Sequence, residues 1–163
     1  MTILIIRHAE KPKSEDDPHL SEKGRKRAEA LVTLFQTCFR APQQLYAAAD
    51  KPKSWRPRET LEPLKAALGL QLDSETLDAD VLAEKLRQTA DDTLVLISWR
   101  HEQIPTLARA LGAEHVPPKW PENIYDRIWR LMRTADGAMH VADMPMALLP
   151  GDSLAAHFVP DAR

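Results

Sequence analysis

The segment Thr2-Ile-Leu-Ile-Ile-Arg-His-Ala-Glu10 begins as a short, continuously apolar run rich in β-branched residues and turns polar at Arg7 and His8. A strand exposed on one face would alternate apolar and polar side chains; this run does not, so it reads as a central strand covered on both faces. Thr93-Leu-Val-Leu-Ile-Ser98 repeats the pattern and leads directly into Trp99-Arg100-His101. Two such strands, each followed by an Arg-His pair, are the first functional signal, because open α/β sheets hold their ligands at the carboxyl ends of the strands.

Outward from the first strand, residues 11–20 contain two prolines and the acidic triplet Glu15-Asp16-Asp17, which predicts a solvated loop running to a helix capped by Ser21. Ala28, Leu31, Val32, Leu34 and Phe35 recur at helical spacing while Arg25, Lys26 and Arg27 form a polar face, so a helix is expected over roughly 22–39. Leu45 to Ala48 reads as a second strand, and the lysine-containing stretch from Asp50 to Trp55 as the loop leaving it. Thr60, Leu61, Leu64, Ala67 and Leu68 make the stripe of a second helix, interrupted by Pro63 and stopped at Gly69. Asp80 to Thr89 and Ile104 to Leu111 supply two more helical patterns, the latter with Pro105 tolerated in its first turn. Ile128 to Met132 and Ala138 to Val141 flank Asp136-Gly137 as a hairpin expected on the sheet edge. Strands alternating with helices predict a three-layer α/β/α domain with a mainly parallel central sheet, one domain over residues 1–163.

The composition agrees with that class. Of 163 residues, 44% are hydrophobic and 28% charged, enough for a buried core. The formal net charge of -2, from 22 basic and 24 acidic residues, argues against a nucleic-acid or membrane partner recruited by bulk charge. The basic run Lys23, Arg25, Lys26 and Arg27 is expected to be a solvated helix face. Cys38 is the only cysteine, which excludes an intramolecular disulfide; it is expected in the core. The absence of a long apolar run predicts a cytoplasmic protein.

Chemically, two strand-end histidines, two strand-end arginines and further basic residues around Arg56 and Arg58 describe an anion site. Planar guanidinium forks match phosphate oxygens and neutralise a phosphoryl group, while a neutral histidine beside them can attack phosphorus. Neither a metal nor a cofactor is required. His19, His115, His140 and His157 lack comparable surroundings and are expected to be surface or packing residues. The aromatic-rich segment from Trp120 to Trp129 is expected to pack a short helical turn and an edge strand, with a pocket wall as the rival role.

Arg7-His8-Ala9-Glu10 resembles the Arg-His-Gly-Glu signature of the histidine phosphatase superfamily, also called phosphoglycerate mutase-like. Leu20-Ser-Glu-Lys-Gly24 with Ala28, Tyr46-Ala47 with Arg56 and Thr60, and the strand leading to His101 resemble further motifs of that family in the same order. The resemblance spans roughly residues 2–112. It implies the phosphoglycerate mutase-like fold and a phosphatase that uses a phosphohistidine on His8. In it, Arg7 and Arg56 clamp the phosphate, His101 contacts it, Lys11 adds positive charge, and Arg58 is the fallback for Arg56. The proton donor stays open between Glu102, which follows the second histidine, and Asp78, Asp80 or Glu75. The substrate would be a phosphorylated small molecule or a phosphoprotein, and a protein phosphohistidine phosphatase or a phosphate-binding regulatory module are the alternatives. The sequence departs from the family at Ala9, at Trp99-Arg100 before the second histidine, where large side chains are expected around the pocket, and in a longer loop after Ala48.

Overall fold

The computed structural model describes residues 1–155; His157 lies outside them. The first apolar run forms β1 (Thr2–Arg7), which pairs in parallel with β4 (Leu94–Trp99), the second run. Successive side chains of a strand face opposite ways, and both faces of these strands are dry. Ile3, Ile5, Val95 and Ile97 join one apolar cluster while Leu4, Ile6, Leu94 and Leu96 join another. Full burial of one such side chain contributes about 1.5–3 kcal/mol, so these two strands anchor the fold.

The second cluster is covered by α1 (Glu22–Thr37) and α2 (Arg56–Leu68), through Leu31, Leu34 and Phe35 on one helix and Leu61 and Leu64 on the other. The first is covered by α3 (Ala79–Leu86) and α4 (Ile104–Ala110), through Leu82, Leu86, Ile104 and Leu107. Ser21 caps α1 as expected, its Oγ accepting from Gly24 N at 3.0 Å, and Gly69 ends α2 in the left-handed region at φ 64°.

The sheet has seven strands in the order β3-β2-β4-β1-β6-β7-β5, with β2 at Gln44–Ala47, β3 at Leu72–Asp73, β5 at Ala113–Glu114, β6 at Arg127–Arg133 and β7 at Met139–Pro145. It is mostly parallel; among the described residues only the pairings of β6 with β1 and with β7 are antiparallel. The expected hairpin is therefore present, but β6 is an inner strand beside β1 and the edge on that side is β5. Among the described residues no helix is long and apolar enough to cross a membrane.

Two expectations fail around α1. Cys38 is exposed, because the helix ends at Thr37 and Phe39 folds back on Phe35, with ring centroids 5.5 Å apart. Arg27 is 2% exposed instead of lying on a solvated face. Its Nε donates to Glu10 Oε1 at 3.0 Å, and its Nη1 and Nη2 each donate to Asp152 at 2.8 Å. A buried guanidinium is tolerable only when paired. Here its two carboxylates come from the loop after β1 and from the chain beyond β7.

Candidate active site

Parallel strands β1 and β4 end side by side, with Arg7 in register with Trp99 and His8 N donating to the Trp99 carbonyl at 3.0 Å. The chain segments just beyond both strands therefore share one mouth of the sheet. A cavity of about 630 Å³ opens there, lined among others by Arg7, His8, Arg56, Arg100, His101 and Glu102.

His8 is 5% exposed, and its Nδ1 lies 2.7 Å from the Ala9 carbonyl oxygen. A carbonyl can only accept, so Nδ1 carries the ring proton and Nε2 is left with the lone pair. Burial holds the ring neutral, pushing its pKa from 6.5 down to about 3, and Arg7, Arg56 and Arg100 push the same way. The result is a neutral imidazole with a fixed tautomer in a cationic surrounding. Such a ring can act as a nucleophile without first losing a proton.

The loop carrying His8 is tied down from two directions. Ala9 N donates to Thr60 Oγ1 at 2.8 Å, and that hydroxyl donates to the Arg56 carbonyl at 2.7 Å, linking the end of β1 to the first turn of α2. On the other side, α1 approaches so closely that a Cβ at Gly24 would sit 2.4 Å from the Glu10 carbonyl oxygen. Ala9 is fully buried, so its methyl group is accommodated where the resemblance has glycine.

The arginines are held mainly by backbone carbonyls, which orient them without neutralising them. Arg7 donates to the carbonyls of Glu122 and Ile124 and, at 3.1 Å, to Tyr125 Oη, with its guanidinium carbon 3.9 Å from the centre of the Tyr125 ring. Arg56 donates to the carbonyls of Asp17 at 2.9 Å and Lys53 at 3.3 Å. Arg100 donates to those of Ala49 at 2.9 Å and Ser54 at 3.2 Å, and its buried Nη1 has no hydrogen-bond partner among the described residues. Desolvation lowers the pKa of all three. Positive charge left uncompensated this way is poised for an anion.

His101 stands at the start of a 3-10 turn, His101–Gln103, with Nδ1 3.1 Å from Glu102 Oε2. Desolvation and then Arg7 lower its pKa, against the opposing pull of Glu102.

Of the residues expected from sequence, the structure brings Arg7, His8, Lys11, Arg56, His101 and Glu102 to the cavity. Arg58 is not there; its Nε donates to Asp50 at 3.0 Å. The three rival acids also lie outside the lining. Asp78 caps α3 by accepting from Asp80 N at 2.8 Å, Asp80 sits in the first turn of that helix, and Glu75 faces Lys85 at 3.6 Å. Trp99 is fully buried in the core with Val95 and Ile97, so it does not crowd the pocket. Arg100, counted from sequence among the strand-end arginines but given no role of its own, lines the cavity, while Tyr125 and Glu15 were not among the site candidates. Tyr125 comes from the aromatic segment whose rival role was a pocket wall, a segment in which Trp120 also packs on Trp129 at 5.2 Å. Glu15, from the solvated loop, gave no signal.

The architecture is that of several solved phosphatases. The protein histidine phosphatase SixA, solved with tungstate, superposes with a TM-score of 0.65 at 16% identity over 90% of this chain and 97% of that one. A mycobacterial glucosyl-3-phosphoglycerate phosphatase solved with inorganic phosphate gives 0.59 at 17% identity, covering 87% and 94%. A phosphoserine phosphatase from Entamoeba histolytica, solved with phosphoserine, gives 0.58 at 13% identity, covering 91% and 98%. At these identities the likeness is one of fold. The sequence matches no protein-family model and no curated protein.

Proposed function

We propose that this chain, which has the fold of the histidine phosphatases, is a cytoplasmic, metal-independent phosphatase that hydrolyses phosphomonoesters through a phosphohistidine on His8, built on a three-layer α/β/α domain. The observation that carries this reading is the fixed tautomer of His8, with its Nδ1 engaged by the Ala9 carbonyl in a cavity that also holds Arg7, Arg56 and Arg100.

In the first step Nε2 of His8 attacks phosphorus, the bond from phosphorus to the leaving oxygen breaks, and that oxygen takes a proton from a carboxylic acid. The three arginines and His101 hold the phosphoryl oxygens, where charge is greatest in the transition state. In the second step water attacks phosphorus, the carboxylate takes its proton, and the P–N bond breaks to release phosphate and restore the neutral ring. Glu102 is the proposed acid and base, being the carboxyl beside His101 in the cavity wall.

The substrate would be a phosphorylated small molecule or a phosphoprotein. A protein phosphohistidine phosphatase is supported as a second reading by the likeness in fold to SixA over 97% of that chain. A phosphate-binding module without turnover is the less favoured reading, because a carboxyl group does stand in the cavity.

The test is hydrolysis of a generic aryl phosphate by wild type and His8→Ala with a chelator present. Turnover that survives chelation and is lost in the variant supports the reading. An active His8→Ala protein sinks it.

A further inference from the structure

The cavity holds far more positive charge than one phosphoryl group can use. Among the described residues fifteen line it, seven of them arginine or lysine and two glutamate, in a chain whose net charge is -2. Three arginines answer the dianion of a phosphomonoester; the four lysines, Lys11, Lys13, Lys51 and Lys53, are additional. They come from two loops, one after β1 and one after β2, the latter being the stretch that is longer than in the family the sequence resembles.

These loops form one wall. Trp55 N donates to the Pro18 carbonyl at 2.9 Å, Arg56 Nη1 to that of Asp17 at 2.9 Å, and the rings of His19 and Trp55 meet edge-on at 4.8 Å. Lys51 and Ser54 close a small bridge within the second loop, and Arg100 is fastened to that loop through Ser54. Of the four lysines, Lys53 is matched by Asp16 at 2.6 Å. Lys13 and Lys51 have no carboxylate within ion-pair distance among the described residues. Like charges gathered at one mouth repel one another unless an anion sits between them.

We propose that Lys13 and Lys51 form a second anion subsite at the outer part of this cavity, and that the substrate is a small phosphomonoester carrying a further phosphate or carboxylate group. The proposal rests on the phosphatase reading of the inner site. The volume supports a small molecule, since about 630 Å³ lies within the roughly 300–1,000 Å³ that such ligands occupy, and a lone phosphate would leave most of it empty.

The test is calorimetric binding at low ionic strength of inorganic phosphate, tripolyphosphate and an acidic phosphopeptide to the full chain carrying His8→Ala, which blocks phosphoryl transfer. The same titrations are run on that protein with Lys13→Ser and Lys51→Ser added. Tripolyphosphate should bind more tightly than phosphate, and the two lysine substitutions should cut that advantage by about tenfold while shifting phosphate itself less than about twofold. Circular dichroism of both proteins checks that the loops' changes leave the fold intact. Phosphate that binds while tripolyphosphate gains nothing, or an advantage unaffected by the substitutions, overturns the subsite alone. A lysine-dependent gain seen only with the phosphopeptide overturns the small-molecule assignment. Failure of phosphate to bind at all overturns the inner site and the subsite with it.

Discussion

Arg7-His8 and Arg100-His101 are the same dipeptide placed at the ends of neighbouring parallel strands, yet the fold gives their histidines different environments. His8 is 5% exposed with its proton pinned on Nδ1 by a backbone carbonyl, whereas the His101 side chain is 23% exposed and stands 3.1 Å from a carboxylate. A carbonyl partner cannot supply or take a proton, so it fixes one ring nitrogen as a nucleophile. The Glu102 carboxylate beside His101 pulls that ring toward the imidazolium, but desolvation and Arg7 outweigh it and hold its pKa below the usual value, so at neutral pH the ring can offer a phosphoryl oxygen one neutral N–H. The lesson is that both rings are pushed toward the neutral form, and deeper burial with a tautomer fixed by a backbone carbonyl is what singles out His8 for attack.

Replacing each ring in turn is the strongest way to break that comparison. His8→Ala should lower kcat by more than about 10⁴-fold, because the covalent route is gone. His101→Ala should lower it by about 10²- to 10³-fold, the cost of losing one oxyanion donor. Equal losses in steady-state hydrolysis would show that the two histidines are not differentiated as described.

A smaller effect concerns the acid next to His101. Glu102→Gln should cost about 10²-fold on an alkyl phosphate, whose leaving oxygen needs a proton, and much less on an aryl phosphate with a good leaving group. Glu15→Gln serves as the control on the other cavity carboxyl. A larger loss for Glu15→Gln than for Glu102→Gln on the alkyl substrate would move the donor role to the loop.

The smallest effect is on stability. The His8 ring takes a proton near pH 6.5 when unfolded but only near about 3 when folded. Between those values the unfolded state binds more protons, so this group makes the folded protein lose stability as pH falls. Thermal melts should therefore show that His8→Ala gains on wild type between pH 7 and roughly pH 4 by several degrees. A constant difference across that range would mean that His8 titrates alike in both states.

The two central parallel strands, β1 and β4, and the four helices of this fold were legible because their burial is written locally, as continuous apolar runs and a 3.6-residue stripe. β3 and β5 were not, since two residues such as Leu72–Asp73 become a strand only by pairing with β2. Most of the site was readable from motifs at the strand ends. What escaped was set by long-range partners: Arg27 reads as a surface charge until Glu10 and Asp152 are brought to it from 17 and 125 residues away. Tyr125 reads as packing until Arg7 is laid across it. Arg58 had the right residue type near the right helix but found Asp50 instead.

The central claim is that phosphate passes through Nε2 of His8. The direct measurement is phosphorus NMR and peptide mass spectrometry on enzyme trapped under alkaline quench during turnover of an aryl phosphate, since a phosphoramidate survives alkali and is lost in acid. The account predicts one acid-labile phosphoryl group per chain, on His8 and on its Nε2. Turnover with no phosphoenzyme, or a label on His101 or on Nδ1 of His8, would contradict it.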